Sequence, residues 1–392
     1  MADWQSRFDR CLKIWRWLPP ICLVAFLLIG WWRSAIRQRD LPSPHFSAAR
    51  PAVSPDRCMA CHVNEVLSAQ QAPHSKTLQP ATTEELLNQF HGLVYKAPET
   101  SEIDRFEAKD RSLWLHHESL AEAVPVHWIF GSGRHARTPV TVLNTNEGAV
   151  EIIEHRLSWY PDSGIDLTLG LGNLSGKPGY HGIGKRLNID DAADCFGCHS
   201  SWLPTSQGKL DLVGMQAGIE CSRCHQEGED HIQSATAGRP DLNPYRWSEL
   251  SPIESIRRCG ECHRRDDQMT HFEVRPTNPV LIRFAPVGIS QSRCFTEQDR
   301  IGLDDAGEKL RFDCMTCHDP HRPAETRPQF YIDRCVGCHS GQSGRASVCS
   351  GTPTSTQCLD CHMPKVEVHP HLRFTDHWIR KRPVNHAAAS DK

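Results

Sequence analysis

The pentapeptide Cys-x-x-Cys-His occurs seven times in this chain of 392 residues, and that repetition limits what the chain can become. The copies are Cys58-Met-Ala-Cys61-His62, Cys195-Phe-Gly-Cys198-His199, Cys221-Ser-Arg-Cys224-His225 and Cys259-Gly-Glu-Cys262-His263, then Cys314-Met-Thr-Cys317-His318, Cys335-Val-Gly-Cys338-His339 and Cys358-Leu-Asp-Cys361-His362. Composition alone would give about 0.05 such matches, so chance is excluded. Thiols at i and i+3 share one helical face, and the next histidine lies on the same turn. That geometry suits addition of both thiols to the vinyl groups of a haem, with the histidine aimed at the iron. A zinc ribbon has no reason to place histidine after every pair. A thioredoxin-like dithiol would occur once, opening a helix after a strand. The motifs therefore read as seven covalently attached haem c groups, with His62, His199, His225, His263, His318, His339 and His362 as proximal ligands.

Fourteen of the eighteen cysteines are used in this way, leaving Cys11, Cys22, Cys294 and Cys349. The formal net charge of −3 would become more negative with two propionates on each haem, so a nucleic-acid-binding protein is not expected. Aromatic residues are only 7% of the chain, which promises a thin side-chain core. Seven apolar macrocycles would supply much of the interior instead, with about fifty residues around each. The chain without them should fold poorly, because the bound group contributes folding energy.

From Trp17 to Trp32 the chain is uncharged and mostly apolar, flanked by Arg7, Arg10, Lys13 and Arg16 before and Arg33, Arg37 and Arg39 after. The length lies between a signal-peptide core and a full membrane span. Trp15, Trp17, Trp31 and Trp32 mark both ends like an interfacial belt, and Arg33 stands where a cleavage site wants a small residue. A retained single transmembrane helix is favoured over a cleaved signal. The charge bias places the part bearing the motifs in the periplasm, the oxidising side on which haem c is attached. The expected organisation is an anchor or signal over 1–40, a Pro-rich tether over 41–57, a multihaem domain over 58–385 and a tail over 386–392.

Between His62 and Cys195 lie 132 residues without a motif. Alternating runs at Leu93–Tyr95, Leu113–Leu115, Val124–Val126, Val140–Val142 and Ile152–Ile153, separated by breaks such as Gly131-Ser-Gly133, predict a β-rich insert over about 90–165. From about residue 190 onward, short helices each carrying a motif are expected among irregular segments. The fold class is thus mainly α and irregular with a β-rich insert. The glycines of Gly170–Gly176 have the wrong spacing for a nucleotide loop and read as a turn.

The second axial ligand decides between electron transfer and catalysis, since an iron with one open face can take substrate. Methionine offers few candidates: outside the initiator and the motif neighbourhoods only Met215 and Met269 remain. Sixteen histidines lie outside the motifs, so bis-histidine ligation is the expectation for most haems, with low potentials. His45, His155, His181 and His386 read as ordinary histidines.

Several stretches carry a resemblance to the multihaem c-type cytochromes typified by the tetrahaem electron acceptor of hydroxylamine oxidoreductase, and to the haem domains that precede tetratricopeptide repeats. They are Cys58–His62 with Pro73-His74-Ser75, Ile129–Arg137, Leu157–Tyr160, Gly218–His225 with Gly228–His231, Ile282–Cys294, Cys317–His321, Cys361–Lys365 and Phe374–His377. The resemblance implies His74, His135, His231, His321 and His377 as distal ligands, and less directly His91, His117, His369 and His371. It also implies a disulfide between Cys294 and Cys349, with two idle thiols as the alternative. The chain departs from the family in having seven motifs rather than four or eight, and no repeat array follows the last. There is no Cys-x-x-Cys-Lys, so the lysine-ligated haem of pentahaem nitrite reductases is not expected.

The leading expectation is a heptahaem electron carrier. Its partners would be a membrane redox complex or quinol dehydrogenase and soluble redox proteins. The alternative is an oxidoreductase acting on a small nitrogen or sulfur compound at a five-coordinate haem. In that case the insert would wall the pocket, and His116, His117, Tyr160 or Arg137 would donate protons.

Overall fold

The computed structural model describes residues 53–144, 150–171, 174–206, 209–226, 228–239, 246–301, 311–339 and 358–382. The expected anchor, most of the tether, the tail, His45, His386 and Cys349 lie outside the described residues. Among the described residues, no helix is long and apolar enough to cross a membrane.

The fold mixes helices with antiparallel sheet. Residues between the first two motifs build two sheets. One is a meander of β2 (Val94–Lys96), β3 (Ile103–Lys109), β4 (Ser112–His117) and β5 (Val124–Val126). The other has the order β1-β6-β7-β8-β11, from Leu78–Pro80, Trp128–Phe130, Thr138–Asn144, Val150–His155 and Gly184–Leu187. A further hairpin joins β9 (Leu157–Tyr160) to β10 (Gly164–Leu167). The expected runs all fall on strands, but sheet extends further in both directions than 90–165.

Alternation drives this packing. In β4, Leu113, Leu115 and His117 point inward while Trp114 and His116 point outward, as a strand's period of two requires. Phe90, Phe106, Leu113, Leu115, Ile129, Ile153 and Leu157 meet in one core between the sheets. A second cluster, Leu78, Phe130, Val140, Ile152, Phe196 and Met215, ties the five-stranded sheet to the helix Ile189–His199, which carries the second motif.

The inner core also holds charge. Arg156 hydrogen-bonds Asp104, and both side chains are buried. Burial raises the Asp104 carboxyl above its usual range, against the opposing pull of Arg156 and His117. Removing one partner of such a pair costs about 3–5 kcal/mol because the other is left buried alone.

The remaining motifs sit on short helical pieces: Pro55–Met59 at the start of the first motif, then Cys221–Cys224, Pro252–His263, the 3₁₀ turn Cys314–Thr316, Pro328–His339 and Cys358–His362. Three of the starts are written locally. Asn188 caps Ile189–His199 by accepting from Asp191 N at 2.8 Å. Ser251 and Glu254 form a capping box ahead of Pro252 at the first helical position. Asp313 and Thr316 cap the 3₁₀ turn in the same reciprocal way. Past the last motif, β12 (Lys365–His369) and β13 (Leu372–Thr375) form a hairpin leading to His377.

Candidate functional site

The motifs converge on one continuous cavity of about 2900 Å³. That is several times the roughly 300–1,000 Å³ of a single small-molecule site. All seven motifs contribute to its lining, and of their cysteines and histidines only Cys195, which packs into the second apolar cluster, and Cys361 do not line it. Among the described lining residues, fourteen arginines and lysines stand against eight carboxylates, the reverse of the balance of the whole chain. A cavity with that bias suits apolar plates with anionic edges.

Four motif histidines each face a second histidine across this space. The ring centroids are 6.3 Å apart for His62 and His231, 6.2 Å for His74 and His263, 6.0 Å for His225 and His321, and 6.2 Å for His318 and His377. Two imidazoles bound to opposite sides of one metal at about 2.0–2.1 Å, each with its centroid about 1.1 Å behind the nitrogen, would stand about 6.2–6.4 Å apart. The spacing fits one iron between each pair.

Local structure sets these positions. His74 lies on the 3₁₀ turn Pro73–Lys76, and its carbonyl accepts from Ile219 N at 2.9 Å, just ahead of the third motif. The approach needs glycine at 218, where φ is +78° and a Cβ would lie 2.3 Å from the Ser75 carbonyl oxygen. His231 is on the helix Gly228–Thr236. His377 follows the last hairpin and is seated by Ser292, whose hydroxyl donates to the His377 carbonyl at 3.2 Å and accepts from Ile379 N at 2.8 Å.

Several ring orientations are fixed from behind. The carbonyl of Thr77 lies 2.8 Å from Nδ1 of His199, that of Thr375 lies 2.9 Å from His377, and that of Arg380 lies 3.2 Å from His362. Such bonds hold the Nδ1-protonated tautomer, freeing Nε2 as a donor to metal. Burial lowers the basicity of His74, His199, His225, His318 and His377. It lowers His263 to about 4, assisted by neighbouring histidines. All six are therefore neutral at physiological pH, the form that binds iron.

The thiols show which motifs are neighbours. Cys58 lies beside Cys221, Cys198 beside Cys262 and Cys259 beside Cys314. Cys262 is lowered to about 6 by Cys198 and by Arg223, whose Nη2 lies 3.7 Å from its sulfur. Cys224 lies beside Cys259 and Cys262, while Cys335 lies beside Cys317 and Cys358.

Other expected residues stand elsewhere. His135 lines the cavity next to Arg134, but its ring lies against Phe374 at 5.0 Å rather than against a motif histidine. None of the histidine–histidine ring contacts among the described residues involves His199, His339 or His362. His91 accepts from Ala108 N at 3.0 Å on the far side of the insert. His117 is enclosed with Asp104, Arg156 and Ser119. His369 and His371 pack on Tyr160, with His371 Nε2 at 2.5 Å from Asp166. None of the proposed proton donors lines the cavity. Tyr160 donates to the Leu167 carbonyl, Arg137 pairs with Glu85, and His116 pairs with Glu107. Met215 is core, and Cys294 is a half-buried thiol near Cys338.

No family model matches the chain. No curated protein matches it either. Among solved structures, the outer cell wall cytochrome OcwA is similar, with a TM-score of 0.52 over 84% of this chain and 79% of that one. Sequence identity is 14%, so the likeness is one of fold.

Proposed function

We propose that this chain is a heptahaem c-type cytochrome that carries electrons outside the cytoplasmic membrane. The observation that carries the reading is the set of four opposed histidine pairs at 6.0–6.3 Å, each containing a motif histidine. The likeness in fold to a cytochrome supports it. Bound haem would supply the one-electron couple. The chain's part is to hold four of the irons between opposed imidazoles, exclude water and set the spacing. In this reading His231 serves the first motif, His321 the third, His74 the fourth and His377 the fifth, with His135 the remaining distal candidate.

The thiol contacts order the route. They run from the first motif to the third, fourth, fifth, sixth and seventh, with the second branching from the fourth. The sequence features resemble those of the tetrahaem acceptor of hydroxylamine oxidoreductase and of the haem domains that precede tetratricopeptide repeats. A membrane quinol dehydrogenase or other redox complex is the proposed donor, soluble redox proteins are the proposed acceptors, and the segment Trp17–Trp32 is the proposed anchor.

A second reading, reduction or oxidation of a small nitrogen or sulfur compound, is favoured by one observation. His199, buried and oriented by Thr77, has Phe130 as its ring neighbour among the described residues. Pyridine spectra and intact mass of protein matured in a haem-attaching host test the main reading, with seven haem increments expected. Electron paramagnetic resonance then separates the two: wholly low-spin signals support the carrier, and a high-spin haem supports the enzyme.

A further inference from the structure

The pentapeptide Cys317–His321 reaches three of the opposed pairs. His318 faces His377, His321 faces His225, and the Pro320 carbonyl accepts from His74. Its remaining side chain, Asp319, has no place in the reading above.

We propose that Asp319 is a positioning residue that makes the third motif's iron the hardest to reduce of the four opposed sites. The proposal rests on the haem reading. Asp319 Oδ1 lies 3.0 Å from His321 Nδ1 and also accepts from the His321 backbone N at 3.0 Å. The ring proton is thus shared with a carboxylate, and the ring centroid lies 6.0 Å from that of His225. At the other three sites the equivalent contact of the distal ligand is neutral or missing. His74 has the Pro320 carbonyl, His377 has the Thr375 carbonyl, and His231 Nδ1 is buried without a partner.

An anionic acceptor behind an imidazole draws its Nδ1 proton away and enriches Nε2 in electrons. A more basic axial ligand favours the ferric state and lowers the potential. Arg322 Nε lies 3.2 Å from the other carboxylate oxygen and draws part of that charge toward itself. The two residues therefore act on the ligand with opposite signs.

The test is spectroelectrochemical titration of the haem-loaded protein. Asp319→Asn keeps an oxygen for both hydrogen bonds and removes the charge. It should raise one midpoint by about 59 mV, a tenfold change in a one-electron equilibrium, and leave the others in place. Arg322→Gln should move the same midpoint downward. The low-spin resonance of that haem alone should change in both variants. Full loading with unmoved midpoints, shifts spread over all haems, or shifts of the same sign in both variants would overturn the proposal while leaving the haem reading intact. A wild-type mass without haem would overturn the haem reading and the proposal together.

Discussion

His225 and His321 lie with ring planes 14° apart, whereas His74 and His263 are inclined by 69°. Parallel ligand planes act on one iron π orbital and separate it from its partner, while crossed planes act on both and leave them close in energy. The third site should therefore give a rhombic low-spin resonance and the fourth a strongly anisotropic one with a large maximum g value. His231→Ala should convert one low-spin haem to high spin and leave those two signals unchanged. A different residue governs the acid response of the insert. His155 is fully buried and lowered from 6.5 to about 3, chiefly by burial, with Nε2 at 2.8 Å from Thr141 Oγ1. The unfolded chain binds one more proton than the folded chain between those values, so stability falls as pH drops through that window. Amide-exchange protection of Val140 and Ile153 should fall as pH drops through it, and His155→Gln should lessen that fall.

Much of the site at this scale was legible, because the motif histidines are written beside their cysteines. The pairing was not. His74 follows the first motif by twelve residues yet faces His263 of the fourth, a choice made by the Gly218–Ser75 contact rather than by local spacing. His135 entered through resemblance, and its ring lies against Phe374.

Among the elements, the segment holding His377 passes close against a helix. Gly288 lies within Ala285–Ser290, and a Cβ there would come 2.7 Å from Trp378 N and 2.9 Å from His377 C. Gly288→Val should push this segment outward, costing about 1–3 kcal/mol by overpacking. One low-spin haem should be lost, whereas Gly337→Ala, with open space around it, should change neither stability nor spectrum. The same scale explains which strands the sequence reading missed. β3 and β4 are joined through Asp110 and Arg111, both at positive φ, the arrangement of a type I′ turn. Neither residue is glycine, so the usual sign of such a hairpin was absent and Ile103–Lys109 passed unnoticed. Gly131-Ser-Gly133 was plain by contrast, since both glycines take positive φ in the expected turn.

For the whole molecule, apolar side chains form two local clusters in and beside the insert, while the motif region surrounds a cavity of about 2900 Å³. Packing on that side depends on what fills the space. Chain produced without haem attachment should keep exchange protection in β3, β4, β7 and β8, and lose it over Pro252–His263 and Pro328–His339. Uniform protection in both halves would contradict this division. The division itself was foreseeable from few aromatics and many motifs. Its extent was not, because the strands from Leu78 and to Leu187 lie outside the alternating runs.

The opposed pairs also join residues far apart in the chain, and synthesis supplies those residues in a fixed order. His231 appears before His263, His321 before His377. Six-coordination would then close first at motif one, next at motif four, whose partner His74 already waits, then at motif three, and last at motif five. A chain truncated between residues 263 and 321 and matured in a haem-attaching host would leave the third iron with a vacant side, so truncations of graded length should lose their high-spin character one site at a time.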